Sequence, residues 1–170
     1  MPALASGVHA PDIHLSFVDG KKFSLHEALK HGPVVAAFFK VSCPVCQFAF
    51  PYLERLFRSY GQGGKASFVG ISQDSARDTQ DFNSQFGITF PTLLDEKGKY
   101  PASNAYRLTN VPSIFLISRE GEIEASIEAS IVGWSKKDME QLGTKLAELS
   151  ETPANPIFSP AEKVPEYKPG

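Results

Sequence analysis

Two cysteines separated by two residues form the most reactive pattern in this chain. Cys43 and Cys46 are the only cysteines in its 170 residues. Thiols at this spacing can close into a disulfide and reopen with little movement of the backbone. The pair therefore predicts thiol–disulfide redox chemistry.

The position of the pair predicts different roles for its two sulfurs. The apolar run 33–39 is typical of a buried strand, and a helix is predicted to begin at Pro44. Cys43 would then lie at the positive end of the helix dipole, where a thiolate is stabilised. We therefore predict that Cys43 is the attacking nucleophile and that Cys46, one helical turn later, is the resolving thiol.

A zinc site or a pair of inert buried thiols would be the alternative uses of these cysteines. A structural zinc ion needs about four ligands. The histidines at positions 9, 14, 26 and 31 show no paired spacing with the cysteines. The sequence therefore favours redox chemistry and predicts neither a metal ion nor a cofactor.

The elements flanking the cysteines belong to an alternating series of strands and helices. Six consecutive apolar residues, 34–39, are typical of a strand that is buried on both faces. The other predicted elements are a β-hairpin 13–24, helix 24–30, helix 44–60, strand 66–72, helix 75–86, strand 91–94, helix 102–106, strand 113–118, returning strand 123–127 and helix 136–149. This order predicts an α/β fold with a central mixed β-sheet flanked by helices on both faces.

The two ends of the chain are predicted to be less regular than its middle. We predict a lead-in over residues 1–12, a single domain over 13–150 and a tail over 151–170. The tail holds five prolines and shows no periodicity. It is therefore predicted to be extended, and either loose or laid along the surface of the domain.

Net charge and the N-terminal residues bear on the partners and the location of the protein. A net charge of -2 gives no electrostatic reason to expect nucleic acid or an anionic membrane surface. Residues 1–7 carry neither the basic region nor the apolar core of a secretory signal. The sequence as it stands predicts a cytoplasmic monomer, and removal of a signal peptide would imply an extracytoplasmic protein instead.

Several motifs along the chain occur in the order that is typical of one family. The matching segments are Gly7-Val8-His9-Ala10-Pro11-Asp12, the stretch from Phe38 to Cys46, Val69-Gly70-Ile71-Ser72, residues 90–95, Ala105-Tyr106, residues 111–117 and Gly121. Over residues 7 to 150 the chain resembles the redoxin branch of the thioredoxin superfamily. This branch comprises the TlpA/ResA-like thiol–disulfide oxidoreductases and the related AhpC/TSA peroxiredoxins. The resemblance implies a thioredoxin-like fold with an N-terminal β-hairpin extension.

The resemblance also implies how a partner is bound. It implies that the peptide bond before Pro112 is cis and lies beside the cysteine pair. Val111 would then contact the partner polypeptide through its backbone, and Pro44 and Val45, between the cysteines, complete the set of predicted substrate-binding residues. The implied partners are proteins with thiols or disulfides, and a second protein that supplies or removes electrons.

Three positions depart from the pattern of the family. Relatives carry a buried aspartate where this chain has Ala37, a glutamate where it has Ala49, and a tryptophan where it has Ser42. No built-in proton acceptor is therefore predicted. Lys40 could favour the Cys43 thiolate through its charge, or it could simply lay its stem on the sheet with its ammonium group in water.

These observations predict a thiol–disulfide oxidoreductase that works through a mixed disulfide with its protein partner. The alternative is a peroxiredoxin-type peroxidase with Cys46 as the peroxidatic cysteine. The peroxiredoxin pattern P-x-x-x-T-x-x-C would require proline at position 39 and threonine at position 43, where this chain has Phe39 and Cys43. A third function, a redox-inactive binding module on the same scaffold, is disfavoured because both cysteines are intact.

Overall fold

The computed structural model describes residues 3–128 and 134–168. In chain order its elements are β1 (His14–Phe17), β2 (Lys22–Ser24), α1 (Leu25–Ala28), β3 (Val34–Phe39), α2 (Pro44–Leu56), β4 (Ser67–Ser72), α3 (Ala76–Phe86), β5 (Thr92–Leu94), α4 (Pro101–Ala105), β6 (Ser113–Ile117), β7 (Ile123–Glu128), β8 (Trp134–Ser135), α5 (Lys136–Leu149) and β9 (Tyr167–Lys168). The predicted alternation of strands and helices is confirmed, and α5 has the predicted bounds.

Within the described residues, seven strands form one mixed sheet in the order β2-β1-β5-β4-β3-β6-β7. Strand β3 lies inside this sheet, parallel to β4 on one side and antiparallel to β6 on the other. The predicted N-terminal hairpin is present, and its strand β1 joins the sheet by pairing with β5. The carboxyl ends of β3 and β4 and the start of β6 therefore meet at the same edge of the sheet.

The side chains of β3 pack into two apolar layers, one on each face of the sheet. Val35, Ala37 and Phe39 pack with the layer under α2, α3 and α5. Their neighbours at the even positions of β3 pack with the layer under α1 and α4. Both layers exclude water from β3, which explains why this strand has no polar position and why helices are needed on both faces.

Helix α2 begins at the cysteine pair and ends in a change of helical type. Cys43 is its N-cap residue, with extended backbone angles, and Pro44 occupies the first turn, where a missing N–H costs no hydrogen bond. The helix was predicted to reach residue 60, but it is α-helical only to Leu56, and a π-helical turn, Phe57–Gly61, follows. The Phe57 ring lies against Gly61 so closely that a side chain there would collide with it.

The short helix α1 is stopped earlier than predicted. It ends at Ala28 rather than at residue 30. Ser24 caps it by accepting the N–H of Glu27. The Glu27 carboxylate accepts hydrogen bonds from Lys30, so this carboxylate is engaged on the side of the helix away from the cap.

The C-terminal tail lies along the surface of the domain, which was one of the two predicted outcomes. Phe158 is buried beside the rings of Tyr52 and Trp134. Arg55 of α2 donates hydrogen bonds to both carboxylate oxygens of Glu162 and to a tail carbonyl group. Strand β9 then pairs with β8, ahead of α5. The tail thus ties α2 to α5 on the side of the sheet that carries the cysteines.

None of the helices in residues 3–128 and 134–168 has the length and apolar character needed to cross a lipid bilayer.

Candidate active site

The two cysteines lie at the sheet edge where β3 ends and β6 begins. Phe38, near the end of β3, is paired with Ser113, the first residue of β6. The chain leaving β3 turns into α2, and the chain entering β6 arrives through Val111 and Pro112. This antiparallel pairing is the reason why segments far apart in sequence meet at Cys43.

The Cys43 sulfur lies between the first turn of α2 and the segment before β6. It accepts the backbone N–H of Cys46 at 3.1 Å. The Cys43 thiol also donates to the carbonyl oxygen of Val111 at 3.5 Å. Cys43 is half-buried, so its sulfur is close to the surface and has polar partners on two sides.

The surroundings of Cys43 favour its thiolate. A hydrogen bond from the Cys46 side chain, assisted by the N–H groups of Cys46 and Val45 and by the charge of Lys40, lowers the pKa of Cys43 to about 6, although partial burial opposes this effect. An ordinary cysteine has a pKa of about 8.5. At neutral pH Cys43 is therefore mostly ionised and nucleophilic.

The surroundings of Cys46 have the opposite effect. Its side chain has no exposed surface. Burial raises the pKa of the Cys46 thiol, and the neighbouring Cys43, which accepts its hydrogen bond and carries the negative charge, raises this pKa further. Cys46 therefore holds its proton while Cys43 is a thiolate. Both cysteines are in the free thiol form in this structure.

The four predicted substrate-binding residues surround the pair but differ in exposure. The peptide bond between Val111 and Pro112 is cis, as the resemblance implied. Pro44 is exposed and Val111 is half-buried, whereas Val45 and Pro112 are buried. Pro44 and Val111 are thus the accessible members of this set, and Val45 and Pro112 lie largely beneath the surface.

Two residues that the sequence analysis did not select hold the turn before Cys43. Asp74 accepts the N–H of Val41 at 2.9 Å, and the side-chain amide of Gln47 donates to the carbonyl oxygen of Val41, also at 2.9 Å. The carboxyl ends of adjacent parallel strands share an edge of the sheet. Since Asp74 follows β4 closely, this rule could have selected it from the sequence.

Comparison with known proteins identifies the family. Residues 6–126 match the model of the AhpC/TSA family. The chain belongs to the AhpC/TSA family. This match covers the sheet from β1 into β7 and includes both cysteines, so the predicted redoxin family is confirmed.

Relatives within the AhpC/TSA group carry two kinds of name. The chain is 28% identical over 139 residues to the thiol-disulfide oxidoreductase ResA of Geobacillus thermodenitrificans, an alignment that spans 82% of this chain and 76% of the relative. It is 31% identical over 156 residues to the putative peroxiredoxin bcp of Helicobacter pylori, spanning 84% of this chain and 100% of the relative. Both comparisons are consistent with cysteine redox chemistry.

A solved structure confirms the predicted thioredoxin-like fold of this AhpC/TSA member. A putative protein disulfide isomerase from Bacteroides thetaiotaomicron superposes with a TM-score of 0.78 at 23% sequence identity. The superposition covers 89% of this chain and 95% of that one.

The site lacks a carboxylate at the two positions where related redoxins are expected to carry one. Ala37 and Ala49 are each 1% exposed and belong to the apolar layer beneath α2. Lys40 is exposed and its charge acts on Cys43, which supports its predicted effect on the thiolate. Among the described residues, no cluster of three His, Cys, Asp or Glu side chains could hold a metal ion.

Proposed function

We propose that this protein is a thiol–disulfide oxidoreductase in which Cys43 attacks the disulfide of a protein partner and Cys46 resolves the mixed disulfide. The observation that carries this proposal is the asymmetry of the pair. Cys43 is half-buried and accepts an N–H from the first turn of α2, whereas Cys46 is fully buried one turn later. One sulfur is accessible and ionised, and the other is shielded within reach of it.

The first step forms a bond between the protein and its partner. The Cys43 thiolate attacks one sulfur of the partner's disulfide, that disulfide breaks, and a Cys43–partner disulfide forms. The second partner sulfur leaves as a thiolate and takes a proton from solvent. Because the attacking group is already ionised at neutral pH, this step requires no general base beside Cys43.

The second step releases the partner. Cys46 loses its proton and attacks the Cys43 sulfur, so the mixed disulfide breaks and a Cys43–Cys46 disulfide forms. The partner leaves with two electrons and two protons more than it brought. Once Cys43 is bonded to the partner it carries no negative charge, so two of the three causes that raise the Cys46 pKa are removed and only burial remains. With Ala37 and Ala49 in the layer below, the departing partner thiolate or water receives the Cys46 proton.

The proposed docking face follows from the exposure of the residues around Cys43. An extended segment of the partner would lie over Pro44 and against the half-buried Val111, whose carbonyl oxygen is 3.5 Å from the Cys43 sulfur. Val45 and Pro112 would contribute backbone atoms to this face. The partners we propose are proteins with accessible disulfides or thiols, together with a second protein that restores the starting redox state.

Reduction of insulin disulfides in the presence of dithiothreitol tests this proposal. We expect the wild-type protein to accelerate precipitation of the insulin B chain and Cys43→Ser to abolish the effect. Cys46→Ser should accumulate a disulfide-linked complex that is visible on a non-reducing gel. Retention of full activity by Cys43→Ser would contradict the assignment of the nucleophile.

Peroxide reduction is the second candidate, because the chain is 31% identical to a putative peroxiredoxin. In the alignment expected from the sequence, Cys46 would be the peroxidatic residue. Its burial and its raised pKa disfavour this role, since the peroxidatic group must be an accessible thiolate. Peroxide consumption that survives in Cys43→Ser and is lost in Cys46→Ser would favour the peroxidase and contradict disulfide exchange.

The direction of electron flow depends on the reduction potential of the pair relative to its compartment. We propose the cytoplasmic, monomeric protein predicted from the sequence, in which cellular reductants keep Cys43 and Cys46 as thiols. Alkylation trapping in intact cells measures their redox state, and light scattering measures the molecular mass. A cysteine pair found oxidised in cells would contradict the proposed reducing cytoplasmic location. A molecular mass of twice 18.6 kDa would contradict the proposed monomer.

A further inference from the structure

The turn between β3 and α2, which ends at Cys43, is held by the side chains of Asp74 and Gln47. The N–H of Cys43 donates to the carbonyl oxygen of Lys40 at 3.2 Å, which closes a turn over residues 40–43. Val41 lies inside this turn, and neither of its backbone polar groups takes part in that hydrogen bond. Its N–H donates to Asp74 and its carbonyl oxygen accepts from Gln47, each at 2.9 Å.

Asp74 is itself held by a buried polar pair. Its N–H donates to the Ser72 hydroxyl oxygen at 3.1 Å, and this hydroxyl lies 2.7 Å from that of Thr79. Ser72 and Thr79 have no exposed surface. Ser72 is also the partner of Phe39 in the register of β4 and β3. The backbone of Asp74 is therefore anchored to β4, which pairs with β3 where both strands end at the active site.

Gln47 anchors the other side of the turn to helix α2. Its N–H donates to the carbonyl oxygen of Cys43 at 3.0 Å, as part of the first turn of the helix. Its side chain then reaches back to Val41. The turn is thus tied to β4 through Asp74 and to α2 through Gln47.

We propose that Asp74 and Gln47 are positioning residues, which fix the Val41 peptide and so keep the Cys43 sulfur on the N–H groups at the start of α2. This inference rests on the proposed role of Cys43 as the nucleophile. The contact between the Cys43 sulfur and the Cys46 N–H requires the extended backbone of Cys43, with φ of -82° and ψ of 114°. Without the two side chains the Val41 peptide is free to rotate, and the turn can carry the sulfur away from its donors.

The rate of Cys43 alkylation by iodoacetamide as a function of pH tests the role of Asp74 without any protein partner. Peptide mapping confirms which cysteine reacts. We expect Asp74→Ala to react about fivefold more slowly than wild type at pH 6.5, because less thiolate is present, and at a similar rate on the alkaline plateau. Asp74→Asn should restore most of the rate, since its amide oxygen can still accept the Val41 N–H.

Two further variants separate positioning from a general loss of structure. Asp81→Ala removes an exposed carboxylate from α3, and we expect its pH profile to match that of wild type. Gln47→Met has a similar length, adds no charge and cannot donate to the Val41 carbonyl oxygen, and we expect it to shift the Cys43 profile towards higher pH. This second variant tests the proposal even if Asp74→Ala does not fold.

The outcomes distinguish this proposal from the proposed function. Wild-type alkylation profiles in both Asp74→Ala and Gln47→Met would overturn the positioning role. An Asp74→Asn variant as impaired as Asp74→Ala would also overturn it, since charge rather than hydrogen bonding would then matter. If the profiles shift as expected but wild-type protein fails to reduce insulin, the positioning of Cys43 stands and the proposed exchange with protein disulfides fails.

Discussion

The backbone N–H of Cys46 donates to the sulfur of Cys43 at 3.1 Å. The Cys46 side chain donates to it as well and is the largest cause of the lowered Cys43 pKa. Burial raises the pKa of the Cys46 thiol, and the negative charge of the neighbouring Cys43 raises this pKa further, so Cys46 keeps its proton. Two identical side chains, three residues apart, thereby acquire opposite affinities for a proton. The first two predictions follow from this difference.

Removing the Cys46 side chain should make Cys43 a weaker acid. Hydrogen bonding from Cys46 is the largest of the causes that lower the Cys43 pKa to about 6. We expect Cys46→Ala to raise the midpoint of the Cys43 alkylation profile by about one pH unit, and Cys46→Ser, which keeps a hydroxyl donor, to raise it less. Thiolate absorbance near 240 nm provides an independent measurement. An unchanged midpoint in Cys46→Ala would contradict this prediction.

The stability of the reduced protein should depend on pH through Cys43. Its folded pKa, about 6, lies below the value of about 8.5 expected in the unfolded chain. Between these two values the unfolded state binds more protons, so the Cys43 contribution to stability is complete above about pH 8.5 and is lost as the pH falls towards 6. Urea denaturation under reducing conditions should show wild type gaining stability relative to Cys43→Ser between pH 6 and 8.5. A constant difference between the two proteins would contradict the linkage.

Lys40 should tune Cys43 only weakly. Its ammonium group is exposed, and its charge is the smallest of the five effects resolved on the Cys43 pKa. We expect Lys40→Met to raise that pKa by about 0.3 unit, and about 0.5 M salt to remove most of the difference by screening. Lys65→Met, at the opposite end of β4, is the matched control. A shift as large as that of Cys46→Ala would show that Lys40 is more important than its exposure implies.

Glu54 should stabilise the position of α2 rather than take part in the chemistry. Its buried carboxylate accepts the N–H groups of Thr89 and Phe90 and the Thr89 hydroxyl, and it pairs with Arg58. Glu54→Ala would leave the N–H of the buried Phe90 and the N–H of Thr89 without this acceptor. We expect it to lower the free energy of unfolding by about 2–3 kcal/mol, measured by urea denaturation.

Two comparisons make the Glu54 experiment specific. Glu54→Gln keeps acceptor capacity and should be less destabilising than Glu54→Ala. Glu148→Ala removes an exposed carboxylate from α5 and should change stability by less than about 0.5 kcal/mol. If Glu54→Ala were no more destabilising than Glu148→Ala, the hydrogen bonds of Glu54 would have little net effect.

The C-terminal tail should stabilise the domain through Phe158. This ring is 8% exposed, and it is 5.2 Å from the ring of Tyr52 and 6.2 Å from that of Trp134. We expect Phe158→Ala to destabilise by about 2 kcal/mol, less than a central core substitution because the tail can relax around the lost volume. Trp134 is the only tryptophan in the chain, so its fluorescence reports on this site.

Truncation after residue 150 extends the same test. We expect the melting temperature to fall by several degrees and Trp134 emission to shift to the red as the ring becomes hydrated. Phe158→Leu, which keeps an apolar group, is the matched control for Phe158→Ala. A truncated protein with unchanged melting temperature and emission would show that the tail contacts contribute no stability.

The sequence was most informative where local rules and burial agree. The unbroken apolar pattern of 34–39 identified β3, and the proline after Cys43 marked the start of α2. Both features act over a few residues, so no knowledge of the distant chain was required. The cysteines were recognised from their spacing alone. The segment at Val111 was recognised only through the resemblance to the family.

Features that depend on long-range contacts were harder to predict. The hydrogen bond between the Asp74 carboxylate and the Val41 N–H spans 33 residues. The position of Asp74 after β4 could have placed it near the site, but the sequence does not indicate which group it binds. The course of the tail was left open between two alternatives because its anchor, Phe158, lies in a segment without periodicity. The π-helical turn after Leu56, in which the Phe57 ring lies close to Gly61, likewise has no local sequence pattern that would predict it.

The contact between Cys43 and Val111 joins residues 68 positions apart in sequence, and this separation has a consequence for biosynthesis. While the chain is still emerging from the ribosome, β6 has not yet paired with β3, and the start of α2 has no neighbouring segment to complete the site. Because β6 supplies Ile114 and Leu116 to the core on which α2 packs, the Cys46 side chain and the first-turn N–H groups that lower the Cys43 pKa are not yet held in place. Cys43 in such a chain has the proton affinity of an ordinary thiol and is mostly uncharged at neutral pH. We expect pulse labelling of arrested nascent chains to find a slowly reacting Cys43 until β6 has left the exit tunnel. The protein would thus gain its reactivity only when it has folded, which limits wrong disulfides during synthesis.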